Sequence, residues 1–500
     1  MSTVSNGCII DEFCKHKNGT IVGSNASDAY SCTLNQTSIS DNKNKFYIMQ
    51  LIKNGGSYVH FIRFGRIGEN GKSSHDDVGT NEEYAKKIFE KQFQSKTKNK
   101  WLNRKNFVKH AGKYFMAEIS YDDELKDVNT TVAKTIKPSD LDERVQDLIR
   151  MLSDVDMMQN ALVQMEIDTK KLPLGKIKQS QLKSASELLT EIRKLIQKYK
   201  KATDDKEDTD EIINEIERTS SEYYTYVPFA CGRRKPPVID TDELVAKYDD
   251  VIDDLMNIVV TTKITENKTT DDKNPLDNIY NEMNTTITPV IKGSDTWDKI
   301  ETYINNTHAP THAFKLKLYE VYEISRLGEE KIFNKHCKNI DNRQLLIHGS
   351  RMSNWVSILK NGLMLDPSRL GVMISGKMFG YGIYFANSFS KSAQYCGSSY
   401  GANEKIALTL AEVALGTESK RTQSDYYISK DSLKKLKADS TWGQGKSTPS
   451  SYGELNGISI PQGKLTASNI NSCLQYDEKI VYDVSQICLR YLVIADMTYK

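Results

Sequence analysis

His348-Gly349-Ser350 closes an apolar run that starts at Leu345. Further on come Phe379-Gly380-Tyr381-Gly382-Ile383-Tyr384-Phe385-Ala386, then Lys391-Ser392 and Tyr395-Cys396. A buried sheet has no use for so many tyrosines, glycines and polar groups in one short stretch, but a flat heteroaromatic amide would. A glycine lets a ligand approach the main chain, where one N–H and one C=O pair with a carboxamide in both directions. The rings of Tyr384 and Tyr395 can sandwich a planar ring, each good stack adding about 0.5–1.5 kcal/mol beyond burial. Ser392 can hydrogen-bond the same amide. Near the C-terminus Glu478 precedes the strand-like run Lys479-Ile480-Val481-Tyr482. Cleaving an N-glycosidic bond passes through an oxocarbenium-like state, and a carboxylate beneath the sugar is its natural stabiliser. Taken singly, a tyrosine in Ile-Tyr-Phe-Ala is core packing, His-Gly-Ser is a turn and a glutamate before a strand is solvated. In this order they form a set.

Three kinds of chain texture must position that set. Residues 1–27 are polar and aperiodic and predict a disordered arm. From 28 to 121 short strands precede one helix. Lys45–Ile52 and Ser57–Phe64 are β-rich runs about an Asn54-Gly55-Gly56 turn, Asn70-Gly71 marks a second turn, and Thr80-Asn81 caps a helix opening on Glu82-Glu83. After a linker at 122–137 the period becomes helical. Val145, Leu148, Ile149 and Leu152 share one face, as do Leu182, Ala185, Leu189, Ile192 and Ile196. The region 138–261 therefore predicts an all-helical domain, interrupted by an acidic, mobile stretch around 202–212. A second linker covers 262–274. From 275 to 500 strands alternate with short helices, with candidate strands at 345–347, 382–385, 405–415, 480–484 and 487–494. The Ser/Gly/Lys-rich stretch 417–463 reads as a surface loop or a weak strand pair. The fold class expected is α+β and multidomain.

At 500 residues, 38% hydrophobic and 27% charged, the chain is long enough for about three cores, and a net charge of +2 points to no polyanion partner overall. Eight cysteines without a C-x-x-C pair form neither a zinc set nor a disulfide framework, which fits a reducing compartment. No apolar leader opens the chain and no run of 18 apolar residues occurs, so neither a signal peptide nor a membrane span is expected. No metal is expected.

The set built on His348, Tyr384 and Glu478 resembles the His-Tyr-Glu catalytic core of the poly(ADP-ribose) polymerases, which transfer ADP-ribose from NAD+ to protein. The resemblance implies an ADP-ribosyltransferase fold, β-rich, at 275–500. It implies that His348 orients the adenine-side ribose while Tyr384 and Tyr395 stack on nicotinamide. Gly349 and Ser392 would hold the carboxamide, and Glu478 would polarise the nicotinamide ribose and activate the acceptor hydroxyl. Ser350, Asn354 and Ala386 fall at further NAD-side positions, and Lys391, Met378 and Tyr476 line an acceptor groove. Two departures stand out: Lys377 replaces a tyrosine usual in polymerases, and Met364 replaces an adenosine-facing arginine for which Arg369 is the candidate substitute. They leave mono-ADP-ribosyl transfer as the enzymatic alternative and a silent DNA-end-binding scaffold as the non-enzymatic one.

Phe64-Gly65-Arg66 resembles the Trp-Gly-Arg signature of the WGR domain, a mixed α/β module that grips DNA ends. The residues support that reading independently. Between Lys86 and Lys113 stand ten Lys or Arg against one acid, Glu90. Such a stripe neutralises phosphates and makes binding salt-dependent. Lys96, Lys98 and Lys100 are its centre, and Phe64 and Trp101 are candidate stacking rings. Met165–Lys176 resembles the all-α regulatory domain of the DNA-dependent family members, in which Asp249, Asp250, Asp253 and Asp254 form a candidate acidic face. The resemblance implies DNA ends or nicks and acceptor proteins, including the chain itself, as partners, and a nuclear location. Family members in animals end in a hydrophobic tail where an accessory factor docks near the active site. This chain stops at Tyr499-Lys500, so such a factor is expected to be absent or to bind differently.

Overall fold

The computed structural model describes residues 4–6, 8–117, 137–167, 178–266, 274–365, 378–397, 404–426 and 428–499. They form two compact units: one from residues 1–134 and 162–267, the other from 135–161 and 268–500.

The first unit is built on an antiparallel sheet in the order Lys72–Asp77, Ser57–Arg66, Lys43–Asn54, Ser31–Ser38, Phe115–Met116. The hairpin pairs Asn54 with Ser57 across Gly55 at φ +61°, the left-handed conformation such a turn requires. The helix Glu82–Thr97 starts at Asn81, whose side chain accepts from the Tyr84 N–H, and carries Glu82 and Glu83 against its N-terminal dipole. It stops at Lys98, in the left-handed region at φ +63°. Its buried face, Ala85, Phe89 and Phe93, packs with Trp101, Tyr47 and Leu51.

Residues 4–27 are not the disordered arm their composition suggested. They run along this sheet as a fold-back cap. Thr20–Ile21 pairs with Ile52 and Lys53, and Cys8, Ile10, Cys14 and Ile21 share a core with Phe46, Ile48, Ile52 and Phe61. Asp11 anchors the cap. Its carboxylate accepts from Arg63 Nε at 2.9 Å and Nη2 at 2.7 Å, and both side chains are almost fully buried. The missed signal was non-local: few apolar residues without a period, all of them finding a ready-made sheet.

Long helices complete this unit: Gln179–Asp204, Asp210–Tyr226 and Asp242–Glu266. The acidic stretch at 202–212 is a helix end, a tight connection and a helix start, closed by Glu207 N–H on the Ala202 carbonyl at 2.8 Å. The last helix runs four residues past 262, into what read as linker. Asp249 does not belong to an acidic surface. It is 2% exposed and paired with the fully buried Arg193.

The second unit centres on a seven-stranded sheet in the order Tyr452–Leu455, Ile458–Pro461, Arg343–Gly349, Glu404–Ala414, Ile487–Tyr499, Phe314–Arg326, Thr285–Pro289. A four-stranded sheet stands beside it: Ile383–Phe385, Glu478–Val481, Ser440–Gly443, Glu418–Arg421. The two meet where Ile347 and Ala386 exchange main-chain hydrogen bonds at 3.0 and 3.1 Å. The stretch 417–463 is neither a loop nor a single strand pair, for it contributes strands to both sheets and the helix Lys430–Lys435. Glu418–Arg421 and Ser440–Gly443 pair with partners well along the chain, so no local alternation marks them. Tyr452–Leu455 and Ile458–Pro461, by contrast, form a tight hairpin about Asn456-Gly457, a local signal the sequence reading passed over. The helix Glu143–Leu152 buries Val145, Leu148, Ile149 and Leu152, and its Arg144 carbonyl accepts from Tyr322 Oη at 2.9 Å. It belongs with this unit.

Candidate active site

Three segments far apart in the chain supply the groups singled out by type. The strand Arg343–Gly349 ends at His348 and Gly349. His348 is half-buried, and its Nδ1 donates to the Tyr384 carbonyl at 2.9 Å, which fixes the tautomer, since a carbonyl only accepts. Gly349 is required by contact: a Cβ there would lie 2.1 Å from the Ser392 carbonyl oxygen. The strand end and the helix Phe389–Ala393 therefore touch main chain to main chain, and Ser392 Oγ donates to the Ile347 carbonyl at 3.0 Å. Beyond the strand, Asn354 Nδ2 donates to Ser350 Oγ at 2.9 Å and holds that turn.

Tyr384 pairs with Ile480 across the four-stranded sheet. Opposed residues share a face, and so do residues two apart in a strand, so Tyr384, Ile480 and Glu478 all point the same way. The Tyr384 hydroxyl accepts from the Phe379 N–H at 3.0 Å and donates to the Gly380 carbonyl at 2.8 Å. Burial foremost, then Tyr482, Glu478 and Tyr395, push its phenol well above the usual range, so the ring stays neutral. Glu478 is 8% exposed and accepts a hydrogen bond from Lys391 Nζ, placed by the helix Phe389–Ala393. Tyr395 is 60% exposed. Tyr476 is buried, its Oη 2.5 Å from Thr311 Oγ1 and its ring 5.4 Å from His312. Burial, then His308 and Lys391, depress His312 to about 4. Met378, like Tyr384, packs against the cluster that includes Phe379, Leu474 and Ile480, and its carbonyl accepts from the Asp425 N–H. Arg369 and Lys377 lie outside the described residues, and Met364 is exposed.

Residue type did not reveal how charged the buried strand Glu478–Val481 is. Asp477 before it is 1% exposed, and Lys479 is buried with its Nζ 2.6 Å from Glu418 and 3.6 Å from the Trp442 ring centre. Burial pulls that amine below its usual range while Glu418 opposes the shift. Three consecutive charges opening an apolar strand were the available signal. Among the described residues no group of His, Cys, Asp or Glu is arranged to hold a metal, and no helix is long and apolar enough to cross a membrane.

In the first unit Phe64 is 44% exposed and stacks on Tyr47, with ring centroids 5.9 Å apart. Gly65 is pinned, since a Cβ would meet Gly71 Cα at 2.7 Å. Arg66 donates to the Asn42 carbonyl and side chain at 3.0 and 2.9 Å, and to the carbonyls of Gly232 and Arg234 in the connection between the helices Asp210–Tyr226 and Asp242–Glu266. Lys98 and Lys100 are exposed, and Lys96 lies over the Tyr47 ring at 4.6 Å. Trp101 departs from the sequence reading. It is 2% exposed, edge-on to Phe89 and Phe93 at 4.8 and 5.0 Å, and capped by Arg104. Opening a 3₁₀ turn directly after the helix, it fills the gap between helix and sheet, so it is a core residue with no face for a base.

Comparison with known proteins agrees with this layout. Residues 30–108 match the WGR domain, 139–280 the poly(ADP-ribose) polymerase regulatory domain, and 294–497 the poly(ADP-ribose) polymerase catalytic domain. Poly [ADP-ribose] polymerase 2 of Homo sapiens is 34% identical over 500 residues, covering 97% of this chain and 82% of the human one. The chain belongs to the poly(ADP-ribose) polymerase family. Poly [ADP-ribose] polymerase 2 of Arabidopsis thaliana is 35% identical over 95% of this chain and 74% of its own, and poly [ADP-ribose] polymerase 2-A of rice 33% over 95% and 71%. As a family member the chain is an NAD+ ADP-ribosyltransferase, and NAD+ is its substrate.

Proposed function

We propose that the chain is a DNA-break-activated polymerase that builds poly(ADP-ribose) on proteins, itself included, in the nucleus and in response to DNA damage. The observation that carries the enzymatic part is the common face of Tyr384 and Glu478, with Lys391 on the carboxylate. In this reading Gly349 and Ser392 bind the nicotinamide carboxamide at their main-chain contact. Tyr384 and Tyr395 hold the ring, and His348, Ser350, Asn354 and Ala386 line the remainder of the dinucleotide. Glu478 steadies the cationic sugar and takes the acceptor's proton. Lys391, Met378 and Tyr476, with Lys377, line the acceptor side.

Phe64, Gly65, Arg66, Lys96, Lys98 and Lys100 form the proposed DNA face. Arg66 supports a link from that face to the helices, because its guanidinium also holds the Gly232 and Arg234 carbonyls. DNA that recruits Arg66 would compete with those carbonyls, which gives a two-state helical region something to respond to.

The test is purified protein with labelled NAD+, with and without nicked duplex. A ladder of product that appears only with DNA is expected. A single discrete shift would mean mono-transfer, and DNA binding without label would mean a silent scaffold.

A further inference from the structure

Directly before Glu478, the buried side chain of Asp477 gathers three donors. Its Oδ1 accepts from the Gly445 N–H at 2.7 Å; its Oδ2 accepts from Thr448 Oγ1 at 2.7 Å and from Asn387 Nδ2 at 2.8 Å. Asn387 is 0% exposed, and its Nδ2 also reaches Tyr452 Oη at 3.1 Å. Gly445 is packed so tightly here that a Cβ would lie 2.3 Å from the Tyr476 carbonyl carbon.

The chain on both sides of this hub carries the site. Asn387 follows Ala386, which bridges to Ile347 next to His348, and it lies between Tyr384 and Lys391. Asp477 and Lys479 flank Glu478: Lys479 alternates to the opposite face within the strand Glu478–Val481, and Asp477 sits in the break between that strand and Leu474–Tyr476. The Asn387–Asp477 hydrogen bond joins these two segments 90 residues apart, beside the Tyr384–Ile480 pairing and the Lys391–Glu478 contact.

We infer that Asp477 and Asn387, with Thr448 and Tyr452, are positioning residues that aim Glu478, and that their donor–acceptor polarity is what they contribute. The inference rests on the role given to Glu478 above. Polarity can be tested by exchange. Asn387→Asp places two carboxylates face to face, a repulsive arrangement. Adding Asp477→Asn restores every bond in reverse. The amide introduced at position 477 would donate to the carboxylate introduced at position 387 and to Thr448 Oγ1, and would accept from the Gly445 N–H, while the Tyr452 hydroxyl would donate to that same carboxylate.

The measurement is steady-state NAD+ turnover with saturating nicked DNA, alongside thermal unfolding. Asn387→Asp is expected to lower kcat about tenfold or more with KM for NAD+ within about twofold, because aim and not binding is lost. The exchange pair is expected to recover kcat to within about threefold of wild type. Thr448→Val, which removes one donor and keeps the fold, should lower kcat by about two- to fivefold at unchanged KM. An exchange pair no more active than Asn387→Asp, or a Thr448→Val enzyme with full kcat, would overturn the inference while leaving wild-type activity to vouch for the site itself. A wild type without turnover would sink the reading of Glu478 instead.

Discussion

In the role proposed for it, Glu478 is worth most where charge develops, since a buried carboxylate already held by Lys391 needs little reorganisation when the sugar turns cationic. Glu478→Gln is expected to reduce chain growth by about 10²–10³-fold and leave DNA affinity unchanged. A gel ladder and a DNA-binding titration on the same preparation check both halves, and equal product from both enzymes would remove the role. A different residue sets an acid limit on stability. His60 is 3% exposed among Phe89 and its neighbours, its Nε2 has no partner among the described residues, and burial depresses it to about 4. Its folded value lies below the unfolded one, so its contribution is intact above about 6.5 and is lost as pH falls from there toward 4. By pH 5 the unit should lose about 1–2 kcal/mol, and His60→Leu should flatten the acid limb of a urea-unfolding profile. An unchanged limb would count against a neutral buried imidazole. At this scale the sequence was readable where chemistry is rare, as in the His-Gly-Ser and Ile-Tyr-Phe-Ala-Asn runs. It was unreadable where identity depends on a distant partner: Asp477 is an ordinary acid until Asn387 meets it.

At the scale of elements, the cap formed by residues 4–27 makes a firm demand. Asp11→Ala would leave the Arg63 guanidinium buried without its carboxylate, a loss of about 3–5 kcal/mol. The first melting transition of the full chain should drop accordingly, and an unmoved transition would mean that the cap adds no stability. The exposed end of the Glu82–Thr97 helix makes another. Replacing Lys98 and Lys100 by Ala together should weaken DNA binding evenly across sequences and reduce the salt slope by about 2, as read from affinities at several salt concentrations. An unaltered slope would move the DNA face elsewhere. Hairpin, helix cap and amphipathic helices were all legible because each is written within a few residues: Asn54-Gly55-Gly56, Asn81, and the Val145 to Leu152 stripe. The cap, the strands Glu418–Arg421 and Ser440–Gly443 and the burial of Trp101 were not, since each is decided by a surface that only the finished sheet provides.

For the whole molecule, the boundary that matters runs through the helical region. The helix Glu143–Leu152 belongs with the unit that holds the catalytic domain match, whereas Gln179–Asp204, Asp210–Tyr226 and Asp242–Glu266 belong with the unit that holds the WGR match. If those helices restrain the transferase until DNA engages, deleting 179–266 while keeping 137–161 should give DNA-independent NAD+ turnover. A folded deletion variant that still needs DNA would argue against restraint. The order of the large sheet has its own consequence. Ile487–Tyr499 lies between Glu404–Ala414 and Phe314–Arg326, paired with the first through Ile487–Met497 and with the second through Tyr491–Tyr499. A chain ending after Glu478 would carry every side chain proposed for the pocket but lack the strand that joins the two halves of the large sheet. A stop before Ile487 would leave the large sheet in two parts, one edged by Glu404–Ala414 and the other by Phe314–Arg326, with no strand to join them.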